Sequence, residues 1–140
     1  MKRTLTKLGL LILSVTFFLA SCSKAPDKIL YKKSGKWSAI LTFHITSVGY
    51  DETNTSSATM LFDKNGSGTY TDAAGGVVTF TWSYSKDSEK LTYQEAGDDP
   101  IVFDVTEMEK KSEKWHNVRT EIIGLDNWVY DLTVDLTSID

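Results

Sequence analysis

The chain has 140 residues, of which 15 are basic and 19 acidic, for a net charge of −4. This length fits one domain with its own core and is too short for two ordinary domains. The acidic balance argues against nucleic acid as a partner, because phosphate backbones bind basic surfaces. Cys22 is the only cysteine, which excludes a disulfide framework.

A short apolar run follows the basic N-terminus. It covers Leu8 to Leu19, about 12 residues, whereas a spanning helix needs about 20. The length is typical of a secretory signal peptide. The run ends in Leu-Ala-Ser-Cys at residues 19–22, which resembles the lipobox of bacterial lipoproteins. The resemblance implies removal of residues 1–21, lipidation of Cys22 and a membrane anchor in the cell envelope, for which we favour the outer membrane.

Residues 22–35 have the composition of a basic tether. Residues 23–36 carry five lysines and a single acidic residue, Asp27. The lysines can contact anionic headgroups beside the anchor or only keep the segment soluble, and we favour the second interpretation. The apolar residues 29–31 predict a short helical turn that packs on the base of the domain.

The hydrophobic period becomes 2 at Trp37, which predicts β-strands to the end of the chain. Residues 49–57, rich in Ser, Thr and Asn, predict a loop, and residues 110–114 predict a charged connection. Eight short strands result, so residues 36–140 are predicted to be an all-β domain. An eight-stranded antiparallel up-and-down barrel would leave no open sheet edge. A two-sheet β-sandwich is the alternative.

Three motifs resemble the small lipocalin-like domains of Gram-negative lipoproteins. Residues 35–37 (Gly-Lys-Trp) resemble the Gly-x-Trp that opens the first lipocalin strand, and residues 61–69 resemble the hairpin after it. Residues 80–82 and 91–93 resemble the paired central strands. The resemblance implies an eight-stranded calyx but no particular ligand. It also implies that Arg119 stacks on Trp37, as a late-strand arginine does in such proteins. The alternative is an exposed Arg119 that pairs with Glu121.

The residues predicted to face inward are strongly aromatic. They can line a pocket for an apolar molecule or fill the barrel, since eight strands enclose only side chains or one small ligand. The ligand-lining candidates are Trp37, Phe43, Phe62, Phe80, Trp82, Tyr84, Tyr93, Phe103, Trp128 and Tyr130.

Metal and catalytic motifs are not found. Asp63, Asn65 and Ser67 match the start of an EF-hand loop, but its twelfth position is Ala74 rather than a bidentate Glu. We therefore predict a hairpin turn there. His44 and His116 have no second ligand at metal spacing and are predicted to lie on the surface. With no nucleophile elbow or phosphate loop, we predict no cofactor, no metal and no enzyme activity.

Two functions remain open. The first is a lipid-anchored binding protein that holds a small apolar ligand in its barrel. The second is an envelope lipoprotein with a filled barrel that binds a protein or polysaccharide, as an inhibitor or accessory. Tyr70 and Trp115 fall outside the predicted inward set, so an exposed patch that contains them would favour the second function. We favour the first.

Overall fold

The computed structural model describes residues 26–139. Within this range no helix is long and apolar enough to span a bilayer. A short helix precedes eight strands, whose bounds are α1 Pro26–Leu30, β1 Lys36–Ser47, β2 Tyr50–Phe62, β3 Ser67–Asp72, β4 Val77–Ser85, β5 Lys90–Glu95, β6 Ile101–Met108, β7 Ser112–Ile123 and β8 Asp126–Ser138.

The eight strands form one closed antiparallel barrel in which each strand pairs with its neighbours in the chain and β1 pairs with β8. The predicted up-and-down barrel is therefore confirmed, and the sandwich alternative is wrong. Closure pairs the two strands that would otherwise be exposed sheet edges. Residues 37–43 of β1 alternate between inward and outward side chains, with Trp37 and Ala39 buried and Ser38 and Ile40 exposed.

Two predicted connections are strands instead. The predicted loop at residues 49–57 belongs almost entirely to β2, and the predicted connection at residues 110–114 contains the start of β7 at Ser112. Residues 50–57 are polar and exposed on both faces, so they show no alternation to detect. Their threonines nevertheless favour extended backbone.

The helix α1 covers the end of the barrel where β1 begins, here called the closed end. Leu30 is fully buried, and its carbonyl accepts a hydrogen bond of 2.8 Å from the indole Nε1 of Trp37. The predicted helical turn on the base of the domain is thus confirmed, and it lies inside the segment assigned to the tether. Gly35 joins α1 to β1 at φ +68°, and a Cβ there would collide with the Phe62 carbonyl.

Phe62 is the centre of an aromatic cluster that fills the closed end. Its ring meets Phe80, Trp82 and Trp115 edge-on, with centroid distances of 5.4, 5.6 and 5.7 Å. Edge-to-face contacts of this kind add to the free energy gained from burial. Gly68 has its Cα beneath the Phe80 ring, where a Cβ would overlap the ring.

The opposite end of the barrel, here called the open end, is asymmetric. Four strands extend beyond the part of the barrel in which all eight strands are paired. Strand β2 pairs with β3 only from Ala58 onward, and β7 pairs with β6 only as far as His116. Residues 43–57 and 117–132 therefore form a four-stranded sheet that rises on one side of the open end. We call it the mouth wall.

Replacing Phe62 with Ala should lower the free energy of unfolding by about 3–5 kcal/mol, because the closed-end cluster loses its central ring and a cavity remains. Val77→Ala, at a side chain that is 64% exposed, should change it by no more than about 0.5 kcal/mol. Urea titration of both variants measures the difference. Equal small losses would show that Phe62 does not hold the cluster together.

Candidate ligand-binding cavity

A cavity of about 280 Å³ lies inside the barrel between the closed-end cluster and the open end. Four aromatic side chains line it: Tyr70, Tyr93, Phe103 and Trp115. The aliphatic part of the lining is Leu41, Met60, Val78, Ile101, Leu132 and Val134. Trp115 also belongs to the closed-end cluster, so the cluster forms the floor of the cavity.

One wall of the cavity is polar. Glu95 is its single charged lining residue, and its Oε1 accepts a hydrogen bond of 2.8 Å from the Tyr93 hydroxyl. Burial, together with this hydrogen bond and the charge of Glu95, raises the pKa of Tyr93, and the nearby Tyr70 raises it further. Tyr93 therefore keeps its proton and donates to Glu95. Within residues 26–139, no cationic side chain pairs with Glu95.

A second cavity, of about 200 Å³, adjoins the first where both are lined by Ile101 and Leu132. It lies where β6 and β7 have ceased to pair, and the side-chain amide of Asn117 bridges the two strands by donating to the Val102 carbonyl at 2.8 Å. Arg119 also lines it.

The predicted stacking of Arg119 on Trp37 is wrong. The guanidinium carbon lies 4.9 Å from the Tyr130 ring centroid, and Nε is 3.5 Å from a Glu121 carboxylate oxygen. Arg119 pairs with Tyr130, which pairs in turn with Ile45, eight residues along β1 from Trp37. Eight residues of strand span about 26 Å. The structure agrees with the alternative prediction, an exposed Arg119 that pairs with Glu121.

The ten aromatic ligand-lining candidates are distributed along the whole barrel. Only Tyr93 and Phe103 line the 280 Å³ cavity, and Phe43 and Tyr130 line the second one. In the mouth wall Trp128 packs on Tyr50 with ring centroids 5.3 Å apart. The other five candidates pack in or beside the closed-end core: Trp37, Phe62, Phe80, Trp82 and Tyr84.

Sequence reasoning missed two aromatic residues of the cavity. Trp115 is only 1% exposed, and Tyr70 is partly buried against the core. In β7 the apolar residues Val118 and Ile122 are exposed, whereas the buried residues Glu113 and Trp115 show that the odd-numbered face points inward. Tyr70 follows Gly68 by two residues and therefore lies on the same face of β3. This alternation, continued from the buried Phe62, could have identified Tyr70 as an inward-facing residue.

Glu113 is buried in the core of the barrel and is 2% exposed. Its Oε2 accepts a hydrogen bond of 3.0 Å from the Trp115 indole, whereas Oε1 has no partner. Desolvation raises the pKa of Glu113 to about 8, although the Trp115 hydrogen bond opposes this. A carboxyl group in this setting is neutral at pH 7. It does not line either cavity.

The remaining candidates lie on the outer surface. His44 and His116 are each 2.9 Å from an aspartate, Asp51 and Asp131 respectively. Residues 63–66 form the β2–β3 turn, as predicted. Among the described residues, no group of three or more His, Cys, Asp or Glu side chains is arranged to hold a metal ion. Cys22 lies outside the described residues.

No protein-family model matches this chain, and no curated protein matches it. The barrel cavity and its lining are therefore the features from which a function can be inferred.

Stability should fall as pH rises from about 4.5 to about 8, the window between the ordinary pKa of Glu113 and its folded value. The folded protein holds the Glu113 proton more tightly than the unfolded chain does, so this contribution is complete below the window and lost above it. The change amounts to a few kcal/mol, at about 1.4 kcal/mol per pKa unit.

Glu113→Gln keeps an acceptor for the Trp115 indole and removes the titration. Subtracting its unfolding free energy, measured by urea titration at each pH, from that of the unmodified protein isolates the Glu113 contribution, because the histidines and surface carboxylates are common to both. A difference that does not vary between pH 5 and pH 8 would contradict the prediction.

Proposed function

We propose that the protein is a lipid-anchored binding protein of the bacterial cell envelope that holds one small apolar ligand inside its barrel. The observation that carries the proposal is the 280 Å³ cavity with its aromatic and aliphatic lining. Ligand sites are typically concave and mostly apolar, with a few polar groups that orient the ligand. The Tyr93–Glu95 pair is such a polar group.

The volume limits the size of the ligand. An engineered protein cavity of about 150 Å³ binds benzene. The cavity here, at about 280 Å³, has room for one aromatic ring with a short chain, or for a compact bicyclic molecule. It lies at the lower end of the range of about 300–1,000 Å³ that is usual for ligand pockets. A long-chain lipid does not fit within it.

The protein- or polysaccharide-binding alternative assumed a filled barrel, and an exposed patch that contains Tyr70 and Trp115 would have favoured it. Both side chains line the cavity instead. The closed eight-stranded barrel agrees with the calyx that the resemblance to lipocalin-like lipoprotein domains implies. The barrel itself is common to both functions, and the placement of Tyr70 and Trp115 in the cavity lining favours an internal ligand over an external partner.

The anchor in this proposal is Cys22, through the Leu-Ala-Ser-Cys sequence at residues 19–22. Stable anchoring by acyl chains takes more than one chain or one chain with a second signal. The helix α1, which packs on the closed end of the barrel, begins at Pro26, four residues after Cys22. The barrel would therefore sit close to the membrane surface, where apolar molecules concentrate.

Filling the cavity should abolish binding of 4-phenylbutan-1-ol, a neutral probe of suitable size. Leu41→Trp adds bulk to a lining residue. Ile40→Trp adds the same indole to the adjacent residue on the outer face, where the side chain is 48% exposed. Isothermal titration calorimetry of the full chain in phosphatidylcholine nanodiscs should show binding for the unmodified protein and Ile40→Trp only. Absence of binding to the unmodified protein would sink the proposal.

Cys22→Ser should move the protein out of the membrane fraction as an unacylated form, because the thiol that accepts the lipid is lost. Cell fractionation followed by immunoblotting measures this shift. Mass spectrometry of the unmodified protein should find acyl chains on Cys22. An unmodified Cys22 at the mature N-terminus would contradict the lipoprotein assignment and leave the cavity argument untouched.

A further inference from the structure

We propose that the ligand of the 280 Å³ cavity is a cationic amine with an apolar body, and that Glu95 binds its ammonium group. This inference rests on the proposed function and names the ligand class of the same site. Its starting point is the character of the lining: ten uncharged side chains and one carboxylate, that of Glu95.

The hydrogen bonding of Glu95 leaves room for a ligand. Tyr93 occupies Oε1, and among residues 26–139 no other hydrogen bond or ion pair to the Glu95 side chain is found. Glu95 is partly buried, so its carboxylate has lost part of its hydration without gaining a cation. A partly desolvated carboxylate interacts more strongly with an opposite charge than one in bulk water does. An ammonium group entering the cavity would supply the missing charge and donate to Oε2.

The aromatic lining favours the same ligand. Tyr70 and Tyr93 both line the cavity that Glu95 lines. Ammonium groups are attracted to the faces of aromatic rings within about 6 Å. The remaining aliphatic wall suits the apolar body. A ligand with its positive charge beside Glu95 and its hydrocarbon body against the aliphatic wall would therefore match the two parts of the cavity.

An anionic head group does not fit this cavity. A carboxylate would meet Glu95 as a like charge, and the chain after residue 21 carries 12 basic and 19 acidic residues. Arg119 lines the second cavity and not this one. Its guanidinium is stacked on Tyr130 and lies beside Glu121, so part of its charge is already balanced.

The experiment compares three probes that share one body: 4-phenylbutan-1-amine, 4-phenylbutan-1-ol and 4-phenylbutanoate. Calorimetric titration at pH 7 of the full chain in phosphatidylcholine nanodiscs, with empty nanodiscs as baseline, gives the three affinities. We expect the amine to bind roughly tenfold to a hundredfold more tightly than the alcohol, the range for a hydrogen bond to a charged group. The carboxylate should bind most weakly.

Glu95→Gln should abolish the preference for the amine over the alcohol, so that this variant binds the two probes with equal affinity. Glu109→Gln is the matched control, because it removes the same charge from an exposed residue beyond the end of β6, and it should keep the preference. If Glu95→Gln fails to fold, the ranking of the three probes by the unmodified protein still decides the matter. Equal affinities for amine and alcohol would overturn this inference and leave the proposed function standing. Failure of all three probes to bind would overturn both.

Discussion

The size of the inward-facing side chains along the barrel axis determines which part of the barrel is filled and which part contains the cavity. An eight-stranded barrel has an interior about wide enough for its own side chains. At the closed end, Phe62 and the rings around it use that width completely. Towards the open end, aliphatic residues such as Leu41, Val78 and Ile101 share the inward positions with four aromatic residues, and about 280 Å³ remains unfilled between them. The cavity is thus a consequence of which side chains occupy the inward positions of a barrel of fixed width.

Packing of α1 on the closed end makes this division stable. The Trp37 indole would be a buried donor without a partner if the Leu30 carbonyl did not accept its hydrogen bond, and an unsatisfied buried donor costs about 1–3 kcal/mol. Tyr31, the residue after α1, also packs on the closed end, and its ring centroid lies 6.3 Å from that of Trp82. The segment before the first strand therefore closes the barrel. In the proposed lipoprotein it would also carry the connection to the anchor, so the closed end would face the membrane.

The sequence pattern predicted the barrel well because alternation is enforced wherever one face is buried, as in residues 37–41 and 78–82. It failed in the mouth wall, where both faces of a strand meet water and alternation carries no information. Residues 117–122 show this: Val118 and Ile122 are exposed, while Asn117 and Arg119 share the inward face with Trp115. The cavity itself was beyond sequence reasoning. The alternation identifies which residues face inward, but whether they touch depends on how much space remains between them.

Three glutamates of this barrel lie in different surroundings: the core, the mouth wall and the edge of the cavity. In the core, desolvation raises the pKa of Glu113 to about 8. Its carboxyl group is therefore protonated and neutral at pH 7. On the mouth wall, hydrogen bonds from Tyr50 and Asn54 lower the pKa of Glu52, which keeps that carboxylate charged in water. Glu95 is partly buried, and one of its oxygens accepts a hydrogen bond from Tyr93. A neutral carboxyl group buried in the core has no ion to attract, and an exposed carboxylate is screened by solvent and salt. A partly buried carboxylate at the edge of a mostly apolar cavity is placed to discriminate between ligands of different charge.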